Sequence, residues 1–168
     1  MELVEFGRLT AEQRAQLEGD ESDPFGGAGD TLVYRPKERH VALSDGGRLV
    51  ASTGRVSAEV EVAGERFPVV GIGGVIVNAA FRGRGLARRV VEEALARAGT
   101  EGPDFALLFC FADRAGLYEK LGFVAVDAPV SVEQPDGSAQ VKQLTMWRAL
   151  REGAVWPAGP VTIRSRPF

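Results

Sequence analysis

The tightest constraint on this chain lies where Val77 gives way to Arg82-Gly83-Arg84-Gly85-Leu86-Ala87. An apolar strand segment ends there, two glycines bend the backbone, and an amphipathic helix begins. Leu86, Val90, Val91, Ala94, Leu95 and Ala98 recur at the spacing of one helical face, so a helix over about 84–98 is expected. Gly99 and Gly102-Pro103 stop it, and Phe105-Ala106-Leu107-Leu108-Phe109-Cys110 follows as a continuous apolar run, the pattern of a strand buried on both faces. A helix joining two such strands calls for a parallel crossover, which would set the second strand beside Val75-Ile76-Val77.

The flanking segments read differently. Leu3 to Phe6 is strand-like, and Thr10 with Gln13 has capping-box spacing for a helix to about Leu17. Residues 19–30, rich in acid, glycine and proline, form a loop. From His40 to Val77 the pattern is strand, turn, strand, with turns at Asp45-Gly46-Gly47 and Ala63-Gly64-Glu65, hence an antiparallel meander. A short helix over 113–121 should end at Gly122, with a hairpin beyond it from Phe123–Glu133 and Val141–Trp147 about Pro135-Asp136-Gly137. The expectation is a single α/β domain over 1–168: a mixed β-sheet with an antiparallel N-terminal meander, a central parallel β-α-β unit and flanking helices. Residues 148–168 are read as a C-terminal extension.

Composition narrows the partners. With 168 residues, 45% hydrophobic and 26% charged, the chain can build one sizeable core. A net charge of −3 with mixed signs argues against nucleic acid. No apolar run approaches a membrane span, and Met1-Glu2-Leu3-Val4-Glu5 lacks the layout of a signal peptide, so a cytoplasmic protein is expected. One cysteine, Cys110, and one histidine, His40, exclude a Cys/His zinc site, and no metal is expected.

The turn after Val77 suits a phosphate or pyrophosphate, because glycines let several N–H groups converge and the helix N-terminus adds partial positive charge. A P-loop would need lysine and then serine or threonine after the second glycine, where Leu86-Ala87 stand; a dinucleotide fingerprint would need glycine at Arg88.

The string Val77 through Ala87, together with Leu117-Tyr118-Glu119-Lys120-Leu121-Gly122-Phe123 some thirty residues later, resembles the GCN5-related N-acetyltransferase (GNAT) superfamily over about residues 1–147. The tail and Asp127-Ala128-Pro129-Val130 are similar to its aminoglycoside 2′-N-acetyltransferase branch. The resemblance implies the acyl-CoA N-acyltransferase fold, with splayed central strands and acetyl-CoA as cosubstrate. It implies pantetheine along Val75 and Val77, and the pyrophosphate on Arg82, Gly83, Arg84, Gly85, Leu86 and Ala87. Tyr118 becomes the proton donor to the departing thiolate.

The acceptor would be a small-molecule or peptide amine, and a homodimer is compatible with the sequence. Two departures stand out: Gly73 occupies the fourth-strand position of the branch's carboxylate, and Phe111 the position of a common asparagine. His40, Glu59, Glu61, Glu65 and Asp127 are left as candidate bases. Gly71, Gly73 and Gly74 point to a bulge or close backbone approach. Without competent base chemistry the alternative is an acyl-CoA-binding sensor or partner-binding module. Cys110 reads as core, Trp147 and Trp156 as aromatic packing, and Asp20, Glu21 and Asp23 would suit a cationic substrate.

Overall fold

The computed structural model describes residues 1–168. Strand β1 (Glu2–Phe6) and helix α1 (Ala11–Glu18) precede a meander of β2 (Arg39–Asp45), β3 (Arg48–Val62) and β4 (Glu65–Val77). Helix α2 (Leu86–Ala98) then leads into β5 (Phe105–Cys110), α3 (Ala115–Glu119), β6 (Val124–Ala125), β7 (Val130–Gln134), β8 (Gly137–Gln140), β9 (Leu144–Ala149) and β10 (Val161–Ile163). Local chemistry sets the ends. The Thr10 hydroxyl accepts from Gln13 N while the Gln13 side chain accepts from Thr10 N, the full capping box. Gly122, at φ +84°, lets Phe123 N reach back to Tyr118 O at 3.0 Å, which closes the last turn of α3.

All ten strands form one mixed sheet with the path β6-β9-β5-β4-β3-β10-β7-β8, while β1 and β2 lie off it beside β3. The 105–110 run is buried from both sides, as its composition requires. Ala106, Leu108 and Cys110 pack with Val91, Ala94 and Leu95 of α2, whereas Phe105 and Leu107 face a second core with Val60, Ile163 and Phe168. Burying a Val or Leu of this kind is worth roughly 1.5–3 kcal/mol relative to exposure. Trp147 and Trp156 stack in the second core at 6.0 Å, so both are packing residues.

Three pairings differ from the sequence reading. β5 pairs parallel with β4 through Val70↔Ala106 and Gly71↔Leu107, not beside Val75-Ile76-Val77. The turn of the late hairpin is shorter, Gln134↔Gly137, and its second strand ends at Gln140, so β9 is free to pair antiparallel with β5. Periodicity marked 141–147 as strand but carries no partner information, and a buried central strand such as β5 needs a neighbour on both edges. The tail, read as an extension, places β10 between β3 and β7.

Beyond β10 the chain runs back over the sheet. Phe168 is buried, with its ring 5.0 Å from that of Phe109. It fits because Gly71 and Gly73 have no side chains: a Cβ on Gly71 would fall 2.5 Å from the Phe168 ring, and one on Gly73 would fall 2.8 Å from the Phe168 carbonyl carbon. Gly71→Ala is therefore expected to destabilise the fold by about 1–3 kcal/mol in urea unfolding. Phe168→Leu in the same background should recover part of that loss. A neutral Gly71→Ala would contradict this packing.

Candidate functional site

β4 and β5 pair over only two residues and then part. The ladder between β3 and β4 slips at the same level: Ser52 faces Ile76 and Gly54 faces Gly73, so Gly74 and Val75 share the place opposite Thr53. Gly74, at φ +64°, makes this bulge at no steric cost. The parted strands wall a cleft of about 870 Å³. Ile72–Ile76, Leu108–Phe111 and Tyr118 line one side; α1, the 22–37 loop and Phe168 line the other.

At the turn before α2, Gly83 (φ +76°) and Gly85 (φ +74°) hold left-handed backbone. Gly85 caps α2 without a side-chain hydrogen bond, and the first helical bond is Arg89 N to Gly85 O at 3.1 Å. The six successive N–H groups of Gly83, Arg84, Gly85, Leu86, Ala87 and Arg88 consequently have no partner in the protein, which is the donor array an oxyanion needs. The neighbouring arginines are engaged elsewhere. Arg82 donates to Val77 O at 3.2 Å and pairs with Glu21, while Arg84 lies 5.0 Å over the Phe81 ring. Leu86 is buried and anchors the turn, and Val75 lines the cleft.

Tyr118 is 7% exposed, its ring edge-on to Phe123 at 6.0 Å. Its hydroxyl has no hydrogen-bond partner. Burial, aided by Cys110 and opposed by Arg114, pushes the phenol up to about 12. Cys110 is likewise pushed up by burial and donates to Met146 Sδ at 3.6 Å, so it stays a thiol and packs as a small core residue.

A family model for the acetyltransferase (GNAT) domain matches residues 28–126. The chain belongs to the GNAT acetyltransferase family. No curated protein sequence matches it. Among solved structures it is similar to a GNAT N-acetyltransferase from Escherichia coli in complex with CoA, at 21% identity and TM-score 0.59 over 96% of this chain and 89% of that one. A GNAT acetyltransferase from Brucella melitensis in complex with acetyl-CoA is 15% identical, TM-score 0.59, over 95% and 94%. An aminoglycoside 6′-acetyltransferase type Ii is 18% identical, TM-score 0.60, over 92% and 100%. These likenesses are of fold.

Within this GNAT fold the candidate bases separate. Glu59, Glu61, Glu65 and Asp127 do not line the cleft, and Glu61 is held by Arg66 and Arg164. His40 does line it, stacked on Phe6 at 5.3 Å with Nδ1 against Gly7 O. That contact fixes the proton on Nδ1 and leaves the Nε2 lone pair free. Burial, with Lys37, Arg14 and Arg55 nearby, lowers its pKa, so the ring is neutral at pH 7. The acidic loop is largely used internally: Glu21 by Arg82, and Asp23 by Gly27 N and Ala28 N at 2.9 and 3.0 Å.

Sequence reasoning missed Lys37 and Phe168. Lys37 lies across the sheet where Gly54, Gly73 and Gly74 leave room, and a Cβ on Gly73 would come 2.9 Å from its Cε. The glycine cluster signalled a close approach without saying by what.

Burial, and then Arg14 and Arg35, lower the Lys37 ammonium to about 8. A lysine whose folded pKa lies below its unfolded one costs stability in full below pH about 8, where both states are charged. The cost fades towards pH 10.5 as the folded form alone loses its proton. Lys37→Met should therefore raise the melting temperature at pH 7 by ~3–8 °C, and by less at pH 10. Equal shifts at both pH values in a thermal melt would contradict the buried charge.

Proposed function

We propose that the protein is an N-acetyltransferase that moves the acetyl group of acetyl-CoA to a primary amine by direct attack in a ternary complex. What carries the reading is one conjunction: strands that part after two pairs, six unpartnered N–H groups at the α2 turn, and a phenol without a partner in the cleft. Each unsatisfied group fits a part of the same cosubstrate. The N–H array from Gly83 to Arg88 would hold the pyrophosphate, with the Arg82 and Arg84 charges adding to its potential. The β4 edge at Val75 and Val77 would bond the pantetheine amides.

Acetyl-CoA supplies a thioester carbonyl open to a neutral amine. Tyr118 then serves the leaving sulfur. With its phenol at about 12, complete proton transfer to a thiolate whose acid lies near about 8.5 is uphill in isolation. The hydrogen bond stabilises the charge as it develops, and the transfer becomes favourable when coupled to the proton released by the newly acylated nitrogen. His40, with its Nε2 lone pair free, is the uncharged base on the cleft wall to take up that proton, directly or through water, and solvent then returns a proton to the phenolate as His40 gives its own up, so that Tyr118 and His40 both end the cycle as they began it.

Gly73, which leaves no carboxylate on the cleft-lining part of β4, favours a second reading: a sensor that binds acyl-CoA without turning it over. Tyr118→Phe keeps the ring and its packing, so melting and CoA affinity should hardly change while single-turnover acetylation falls on the order of 10²- to 10⁴-fold. A folded variant reacting at the wild-type rate would remove Tyr118 from the chemistry. Gly85→Asp places a carboxylate among the free N–H groups and strains a φ of +74°. CoA affinity by calorimetry should drop by roughly tenfold or more, and unchanged affinity in a folded variant would refute the pyrophosphate assignment.

A further inference from the structure

We propose that the acceptor is an amine on an apolar, aromatic body, a short arylalkylamine, whose ring is held on the tail face of the sheet by Leu32, Tyr34, Phe109 and Phe168. This rests on the acetyltransferase reading of the same cleft. The two faces of the splay give the two substrates separate room. Ile72, Leu108 and Cys110 pack with α2, at whose N-terminal turn the free N–H groups stand, whereas Phe109 and Phe168 belong to the second core on the opposite face, where Gly71 and Gly73 let the tail approach. A cosubstrate anchored at the α2 turn and laid along the β4 edge enters from the helix side. The acceptor is then met by the wall built from Phe109, the tail and the 22–37 loop.

That wall is apolar. The Phe109 and Phe168 rings lie 5.0 Å apart, Leu32 packs onto the same core from the loop, and all three line the cleft with Tyr34. Phe109, Leu32 and Tyr34 are each partly exposed, so they have surface left to give to a ligand. Burial, aided by Asp30, raises the Tyr34 phenol, so this ring is uncharged at pH 7. Charge offers no competing handle. Glu18 pairs with Arg14 at 3.4 Å, Asp23 accepts the two loop amides, and Asp30 accepts from Leu32 N at 3.0 Å and Tyr34 Oη at 2.6 Å. Arg35 pairs with Glu38. Lys37 ends against the tail: its Cε and the Phe168 carbonyl carbon and oxygen lie 2.8–2.9 Å from where a Cβ on Gly73 would stand. The remaining lining cations, Arg8 and Arg114, are exposed. A polycation thus finds no free carboxylate side chain on this wall and meets two exposed arginines. An arylalkylamine needs neither, because burial of its ring against aromatic side chains supplies the affinity.

Three primary amines test the inference: phenethylamine, ethanolamine and spermidine. In initial rates with acetyl-CoA, kcat/KM for phenethylamine should exceed that for either of the others by roughly 30- to 100-fold, the gain from burying one ring. Leu32→Asn, in the loop, and Phe109→Leu, which keeps β5 apolar, should each narrow that ratio by roughly threefold or more, with thermal melts showing that both variants are folded. Calorimetric binding of the three amines to the CoA complex reads the site without turnover. Preferential binding of phenethylamine with no acetylation of any amine would sustain the aromatic pocket and defeat the acetyltransferase reading. Rates or binding that favour spermidine or ethanolamine, equal values for all three, no binding of phenethylamine, or a ratio unmoved in both folded variants would overturn the inference.

Discussion

The functional architecture depends on β4 and β5 ceasing to pair after Gly71 and Leu107. Two parallel strands buried between helices and a second core would ordinarily stay hydrogen-bonded, because an orphaned backbone group away from water costs as much as a lost hydrogen bond. The separation has a cause. The bulge at Gly74 inserts an extra residue into β4, redirects the strand, and leaves β5 to follow its own course toward Cys110. On its far edge β5 is fully tied to β9 from Phe105↔Ala149 to Cys110↔Leu144, so the strand remains ordered while its near edge opens.

The space thus created is shared between two occupants. Phe168 and Pro167 come from the tail beyond β10, and Arg35 N donates to Pro167 O at 2.8 Å, which ties the 22–37 loop to the tail. Tyr34, Asp30 and Gln143 make a second tie, with Gln143 Nε2 donating to Tyr34 Oη at 2.9 Å. The cleft's outer wall is therefore assembled from segments distant in sequence and braced by polar contacts, while its inner wall is the sheet itself. A wall built this way holds charged side chains in place without burying them in the core.

Much of this was legible in the sequence. The 3.6-residue periodicity of 86–98, the apolar run 105–110 and the turns of the meander each placed an element within a few residues, because each rests on local chemistry. The glycine turn and Tyr118 were legible as a motif. Pairing partners were not: whether 141–147 joins β7 or β5 depends on which edge is left free in three dimensions, and no local signal carries that. Likewise Gly71, Gly73 and Gly74 announced an approach, but Lys37 and Phe168, one in a loop and the other in the tail, had no periodicity to mark them. The acidic loop shows a related limit of composition. Composition counts carboxylates, whereas the field at a site depends on how many remain uncompensated, and here Glu21 and Asp23 are consumed in holding the loop and the α2 turn in shape.

Gly73 is where these lines meet. A carboxylate at this position would sit against the Phe168 backbone and the Lys37 stem, so the tail, the lysine and an acidic side chain on β4 are sterically exclusive. Glycine at 73 therefore does more than omit a side chain. It leaves the space above β4 to the end of the tail and to the Lys37 stem, two segments far apart in sequence that could not otherwise approach the sheet at the level where β4 and β5 part.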